Sequence, residues 1–320
     1  MFMKFNVICG NPPYNKDIYV DFVQLGHSMA RDYDLWITPA KWQSKNDDLS
    51  ESMRNNISPY ISDLVYYSNT QEVFSDVALD GGVAYYLVNK DICKCKIKNV
   101  NNSKVDSTTV ESLEVFDIRL SNLLDKLRKV NSKTIFSSDL FTPQKSYFCG
   151  LETADPHLVV DASSKYRLVN QKYNIGIPKD KCKNIENIDK YKCYATHYMN
   201  SSTTYFMLKP YEVSTRGNIL LYFGSKDECD SALSYYKSNL VRYLCIATGL
   251  GSVCKECFKF VPDPGSFDRI FEDKPLDGYT PDENGEYIDS DGNKHCSLYV
   301  KYKLTDEEIS VIESVIRERK

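Results

Sequence analysis

The chain has 320 residues, 42% hydrophobic and 26% charged, with a formal net charge of −4 at pH 7. That length can bury a sizeable core and calls for two domains, and no apolar run is long enough to cross a membrane. Slight acidity argues against tight DNA binding through bulk charge, while leaving room for a local basic groove. The start, Met1 to Asn6, lacks the length and apolar core of a signal peptide, so the eleven cysteines, an odd count, are expected to be reduced thiols in the cytoplasm.

Residues 4–9 read as a strand from their aromatic and β-branched content. The strand runs into Asn11-Pro12-Pro13-Tyr14. A residue before proline is pushed out of the helical region, and Pro12 and Pro13 fix two successive φ angles and remove two N–H donors. The loop is therefore stiff, and its carbonyls meet no competing donors. The Asn11 amide oxygen and the Pro12 carbonyl can accept from the same exocyclic amine, drawing its lone pair toward attack on a methyl group without a general base. Tyr14 offers a face for base stacking, worth about 1–3 kcal/mol. A plain strand with a Pro-Pro loop is the bland alternative; the flanking Asn and Tyr favour chemistry.

Residues 18–32 read as a helix with Val20, Val23 and His27 on one face. Leu35-Trp36-Ile37 is a short buried strand leading into Thr38-Pro39. Lys41 is placed to touch a phosphate, and Trp42 to pack either on a flipped base or in the core, core packing being the commoner fate. A helix follows over Asp47 to Asn56, then strands over residues 63–67, 83–88 and 93–100, the last with alternating lysines, and a turn at Asn101-Asn102-Ser103. Alternating helix and strand imply an α/β sheet, with ligands beyond the carboxyl ends of its strands. Asn11 and Thr38 to Trp42 both fall there.

Val110 to Val130 holds a bridging helix with Leu113, Phe116, Leu120, Leu123, Leu124 and Leu127 near helical spacing. From residue 133 short strands and turns alternate, a pattern suited to presenting loops to a major groove. Lys145, Lys165, Arg167, Lys172 and Lys192 are the basic candidates there, each with plain surface charge as its alternative. Ser231 to Thr248 reads as one helix with Leu233, Tyr236, Leu240, Leu244 and Cys245 on its apolar side and Arg242 just off it, within reach of a phosphate. Pro281 to Asp291 reads as a hairpin from its Asn284-Gly285 and Asp291-Gly292 signals. Asp289-Ser290-Asp291-Gly292 resembles a calcium loop but lacks the bidentate Glu, and is read as a turn. Leu304 to Glu308 opens a last helix running to Arg319. Cys254 and Cys257 have zinc-ligand spacing but no second pair, and His27, His157, His197 and His295 form no metal motif.

The segment KFNVICGNPPYN resembles motif IV of the adenine-specific DNA methyltransferases. YVDFVQLGHSMARDYDLWITPAKWQS resembles the helix, strand and Thr-Pro-x-x-Trp segment that follow, and SMRNNISPYISDLVYYSNTQEVFSDVALDGGVAYYLVNKD the end of the methylase core in type IIG restriction–modification enzymes. YFCGLET, DKYKCYATHYM, SALSYYKSNLVRYLCIATG and FKFVPDPGSFDRIF are similar to their target-recognition region. The likeness spans most of the chain in order, strongest over residues 4–92 and 186–271.

The resemblance implies methyl transfer from S-adenosylmethionine to the 6-amino group of an adenine flipped out of double-stranded DNA. It implies a catalytic set of Asn11, Pro12, Pro13 and Tyr14, with Asn11 also toward the cofactor, and substrate contacts at Tyr14, Lys41 and Trp42. Lys145, Arg167, Lys172 and Arg242 are expected as DNA contacts from their own charge and position, and the Cys and His spacing leads to an expectation of no metal. The implied architecture is α/β: a partial Rossmann-like methyltransferase sheet in residues 1–105, a helical bridge in 106–132, and an α+β target-recognition domain in 133–320. One part departs. In this class a Phe-x-Gly-x-Gly donor-binding turn precedes motif IV, and only ten residues precede Asn11. Tyr222-Phe223-Gly224-Ser225 has one glycine and then a charged run, and Gly249-Leu250-Gly251 follows a predicted helix rather than a strand. The expectation is a half-enzyme whose donor pocket comes from a partner methyltransferase subunit. The alternatives are a non-catalytic DNA-binding specificity subunit or decoy, and an enzyme with a donor pocket built in another way. The intact Asn-Pro-Pro-Tyr argues for catalysis, because a DNA-binding module needs no amine acceptors.

Overall fold

The computed structural model describes residues 4–316 except 44–46, 77–78, 80, 92–93, 102–103, 111–112, 138–143, 146–160, 170–173, 183–184, 197, 201, 215–216 and 249–252. The protein is mixed α/β and divides into two compact units, Met1–Asp125 and Lys126–Lys320.

The first unit is built on β1 (Phe5–Gly10), α1 (Tyr19–Met29), β2 (Ala30–Pro39), α2 (Asp48–Asn56), β3 (Ile61–Tyr67), β4 (Val83–Asn89), β5 (Cys95–Asn101) and β6 (Lys104–Val110). The six strands form one sheet in the order β1-β2-β4-β3-β5-β6. β1 runs parallel to β2 and β3 to β5; the other pairs are antiparallel. Side chains alternate across a strand. Trp36, Thr38, Leu64, Tyr66, Ala84, Tyr86 and Val88 therefore share the covered face, packed with Tyr19, Val20 and Val23 of α1 and Met53 of α2. The other face carries Val7 (59% exposed), Tyr33 (41%), Leu35 (42%) and Tyr85 (37%), brought together by the pairings Val7 with Tyr33 and Ile37 with Tyr85.

Most of these elements follow their sequence signals. In α1 the fully buried Val20 and Val23 form the inner face. α2 opens on Asp47, whose side chain accepts the Ser50 N–H at 2.8 Å, and Asp48 and Glu51 sit in its first turn, where the helix dipole favours them. Two expectations need correction. β6 is an additional strand, antiparallel to β5. The helix expected from Val110 begins only at Ile118 and runs to Val130, here α3. Asn99 of β5 explains the late start: its buried amide donates to the Phe116 carbonyl at 2.7 Å and accepts the Ile118 N–H at 2.6 Å, holding 116–118 against the sheet.

In the second unit, β7 (Gln144–Lys145), β10 (Tyr191–Thr196), β11 (Tyr205–Leu208) and β13 (Gly217–Phe223) form a sheet in the order β11-β10-β13-β7, and β8 (Arg167–Val169), β9 (Asn174–Gly176) and β12 (Glu212–Val213) one in the order β12-β8-β9. β14 (Ile270–Glu272), β15 (Glu286–Ile288) and β16 (Lys294–Ser297) form a third in the order β14-β16-β15. The single helix expected over Ser231 to Thr248 is two, α4 (Lys226–Lys237) and α5 (Asn239–Ala247). The chain breaks at Ser238, which is extended, and the Asp273 carboxylate accepts the N–H groups of Asn239 and Leu240 at 2.8 and 3.1 Å. The hairpin expected over 281–291 lies slightly later. β15 and β16 flank a turn in which Gly292 has φ 85° and the Asp289 carboxylate takes the Asn293 N–H. After α6 (Leu298–Lys301), α7 (Asp306–Val315) starts in a capping box of Thr305 and Glu308 and ends before the expected Arg319, which lies outside the described residues.

Candidate active site

β1 ends at Gly10, paired with Trp36 of β2. The Trp36 ring fills the space beside two glycines. A Cβ on Gly10 would stand 2.6 Å from Trp36 Cζ3, and one on Gly26 of α1 2.3 Å from Cζ2. Trp36 is fixed in turn by Asp34, a fully buried carboxylate that accepts the indole N–H at 2.8 Å and lies 3.1 Å from His27 Nδ1. The His27 ring stacks on Tyr60 with centroids 5.8 Å apart. A buried polar group needs such partners. This arrangement places Asn11 directly beyond a strand end wedged from below by an indole.

Asn11 and Pro13 are exposed, Pro12 is buried and Tyr14 is partly buried. The Tyr14 hydroxyl donates to Asn11 Oδ1 at 2.7 Å. Burial pushes the Tyr14 phenol up to about 12, so it keeps its proton and remains a donor. Its ring meets Phe74 edge-on with centroids 6.3 Å apart. A carbonyl-type oxygen has two lone pairs; with one taken by Tyr14, Asn11 Oδ1 retains one for a further donor. Three residues on, Asp17 has φ 62°, in the left-handed region that costs a non-glycine residue energy, and the chain then enters α1.

β1 and β2 are parallel neighbours, so the Asn11 loop and the Thr38–Trp42 segment leave the sheet at the same end. The latter is anchored by the Ala40 N–H on the Gly82 carbonyl at 3.0 Å, and Gly82 (φ 76°) is required there because a Cβ would stand 2.2 Å from the Tyr67 carbonyl oxygen. Lys41 is partly exposed. Trp42, for which a flipped base and the core were the two expectations with the core the commoner, is fully buried. Its ring meets Phe116 and Tyr86 edge-on at 5.0 and 6.0 Å, and Arg54 donates to its carbonyl at 2.7 Å. It is a core residue, because the 3-10 turn Ala40–Gln43 rotates it under the sheet.

The basic candidates separate. Lys165 is exposed, its ammonium 4.1 Å from the Tyr211 ring centroid. Arg167 is tied to β9 by hydrogen bonds to the Asn174 side chain and carbonyl at 2.8 and 2.7 Å. Lys145 lies in β7, and Arg242 is partly buried on α5. Lys172 lies outside the described residues. Lys192 is no surface charge. It is 2% exposed, and its ammonium donates to the carbonyls of Ile188, Lys190 and Lys209 at 3.2, 2.8 and 3.0 Å, while burial drives it down to about 8. Of the glycine segments searched for a donor-binding turn, Gly224 stands between β13 and the Ser225 cap of α4 with open space where a Cβ would be, and Gly249-Leu250-Gly251 lies outside the described residues. Asp34, Trp36 and Phe74 were not singled out from sequence; the Asp-x-Trp spacing, which puts both side chains on one strand face, is the signal that was there to read.

No family model matches the chain. It is 27% identical over 125 residues to an uncharacterised adenine-specific methylase of Mycoplasma pneumoniae (strain ATCC 29342 / M129 / Subtype 1), a stretch covering 34% of this chain and 30% of that protein. Among solved structures it is similar to the type IIG restriction endonuclease BpuSI, at 9% identity and TM-score 0.34, covering 93% of this chain and 48% of that one. A type I restriction enzyme's modification subunit from Vibrio vulnificus YJ016 gives 15% identity and TM-score 0.24, covering 32% and 27%. The chain thus spans less than a third of the curated relative it matches.

Proposed function

We propose that this chain carries the catalytic loop for methylation of the 6-amino group of adenine in double-stranded DNA, with S-adenosylmethionine as donor and a partner chain completing the donor pocket. The observation that carries the reading is the Asn11–Tyr14 loop itself, with Tyr14 hydrogen-bonded to Asn11 Oδ1 at the end of β1. The name of the Mycoplasma relative agrees with it.

In this reading the flipped adenine presents its amine to two acceptors, Asn11 Oδ1 and the Pro12 carbonyl. Each accepted N–H shifts electron density onto the nitrogen and holds its lone pair in one direction. The Tyr14 hydroxyl fixes which side of the Asn11 amide faces the base, and the Tyr14 and Phe74 rings supply stacking area. Pro12 and Pro13 keep the loop from relaxing. S-adenosylmethionine, when bound, supplies the electrophilic methyl group. Among the described residues no glycine-rich turn follows a strand of the six-stranded sheet, so no donor pocket is derived from these residues beyond Asn11.

A partner is supported by β1. It is hydrogen-bonded to β2 alone among the described residues, leaving its other edge open, and Val7, Tyr33, Leu35 and Tyr85 expose an apolar sheet face beside it. Parallel strands are ordinarily covered on both faces. Residues 1–105 are the proposed catalytic half and 106–132 the bridge. Residues 133–320 are the proposed target-recognition part, with Lys145, Arg167, Lys172 and Arg242 its basic contacts.

The test is transfer of a labelled methyl group to an adenine-containing duplex by this chain together with the partner chain that completes the donor pocket. Asn11→Ala is expected to abolish transfer and to leave duplex binding intact; equal loss of both overturns the role of Asn11. Calorimetry with S-adenosylmethionine tests the partner separately. One-to-one binding to the chain alone would overturn the split-pocket reading.

A further inference from the structure

Cys254 and Cys257 stand on one tight turn. Cys254 precedes the 3-10 turn Lys255–Phe258, and the Cys257 N–H donates to the Cys254 carbonyl at 3.2 Å. Both are thiols, with sulfurs 3.7 Å apart. They differ in access: Cys254 is partly exposed, and Cys257 is fully buried. The hydrogen bond the two thiols share lowers Cys254 and, with burial added, holds Cys257 up. One sulfur is thus a reachable nucleophile with enhanced thiolate character, and the other a protected thiol directly behind it. Thiolate, not thiol, attacks sulfur. Among the described residues no group of three or more His, Cys, Asp or Glu is placed to hold a metal ion.

We propose that Cys254 and Cys257 form a redox-active dithiol that closes to an intramolecular disulfide by exchange with a low-molecular-weight disulfide. The Cys254 thiolate attacks one sulfur of the reagent. A protein–reagent S–S bond forms, the reagent S–S bond breaks, and the expelled thiolate takes up a proton. Cys257 then gives up its proton and attacks Cys254 Sγ, forming the protein disulfide and expelling the second reagent thiolate. The protein loses two electrons and two protons, and the reagent gains them as two thiols. The sulfurs close from 3.7 Å to the ~2.05 Å of an S–S bond, and the backbone hydrogen bond of the turn already holds the two residues in register.

The test uses the full chain, reduced and then equilibrated across a series of oxidised-to-reduced glutathione ratios, acid-quenched, alkylated and peptide-mapped. The expected product is one disulfide joining residues 254 and 257, lost again on adding a dithiol reductant. Cys257→Ser is expected to trap glutathione on Cys254, and Cys254→Ser to leave Cys257 unmodified. Full alkylation of both thiols at every ratio overturns the proposal, as does a disulfide between other cysteines or a wild-type glutathione adduct that never closes. Because Cys257 is buried and its variant can fail to fold, the wild-type chain supplies a second reading. Iodoacetamide at neutral pH is expected to label Cys254 several-fold faster than the exposed Cys9, and equal or slower labelling overturns the assignment.

Discussion

Trp36 occupies the space that a side chain on Gly10 would need, with its Cζ3 2.6 Å from the position of a Cβ there. Overpacking of this kind costs about 1–3 kcal/mol. Gly10→Ala is expected to lower stability by that amount. Gly26→Ala is expected to do the same, although alanine favours a helix by about 1 kcal/mol over glycine. Denaturant unfolding measures both, and an unchanged midpoint for Gly10→Ala would show that the indole yields freely.

The Tyr14 hydroxyl donates to Asn11 from a partly exposed position, so its loss leaves no deeply buried group unpaired. Tyr14→Phe is expected to leave stability unchanged. In the methylation assay a neutral hydrogen bond of about 0.5–1.5 kcal/mol corresponds to roughly a two- to tenfold slower transfer. Wild-type rates in this variant would show that the hydroxyl does not orient the amide.

Asp273 takes two N–H groups at the start of α5. Asp273→Ala strands both at a helix N-terminus and is expected to cost about 1–3 kcal/mol. Hydrogen exchange at Asn239 and Leu240 should rise more than at the far end of α5. Uniform acceleration along the helix would place the cap elsewhere.

Burial pushes Tyr14 and Tyr194 up to about 12 and also raises Tyr205, Tyr235 and Tyr236. In the unfolded chain a phenol ionises near 10. Above that pH the folded state holds protons that the unfolded state has lost, so this stabilisation is complete below about pH 10 and falls away as pH rises through about 12. Lys192, driven down to about 8, works the other way. Between about pH 8 and 10 the unfolded chain binds the extra proton, and stability rises with pH. Burial also pushes Cys95 and Cys229 up to about 12 and raises Cys193 and Cys296, whereas an unfolded thiol ionises near 8.5, so their stabilisation falls away above about pH 9 and outweighs the single lysine. Thermal melts are therefore expected to fall from about pH 9 and more steeply above about 10; a flat profile to pH 11 contradicts the assignment.

What the sequence disclosed is local. Val20 and Val23 announce the inner face of α1 by spacing, Asp47 announces the start of α2, and Asn11 to Tyr14 announce a rigid polar loop by composition. What it concealed depends on partners far along the chain. The break between α4 and α5 is fixed by a carboxylate 34 residues beyond Asn239, and the late start of α3 by Asn99. β6, Lys-Val-Asp-Ser-Thr-Thr-Val, is an edge strand with little apolar alternation, so no periodicity marks it. Trp42 was legible as either base-facing or buried, and only the turn at Ala40–Gln43 decides for burial.

The outer edge of β1, unpaired among the described residues, has a consequence at the bench. An unpaired ladder beside exposed Val7, Tyr33 and Leu35 recognises extended backbone of any origin, including that of another copy of the same molecule. Concentration thereby becomes a variable of the fold's behaviour. Dilute preparations are expected to stay monodisperse, crowded ones to stick edge to edge, and a short extended peptide matched to β1 to act as a solubiliser.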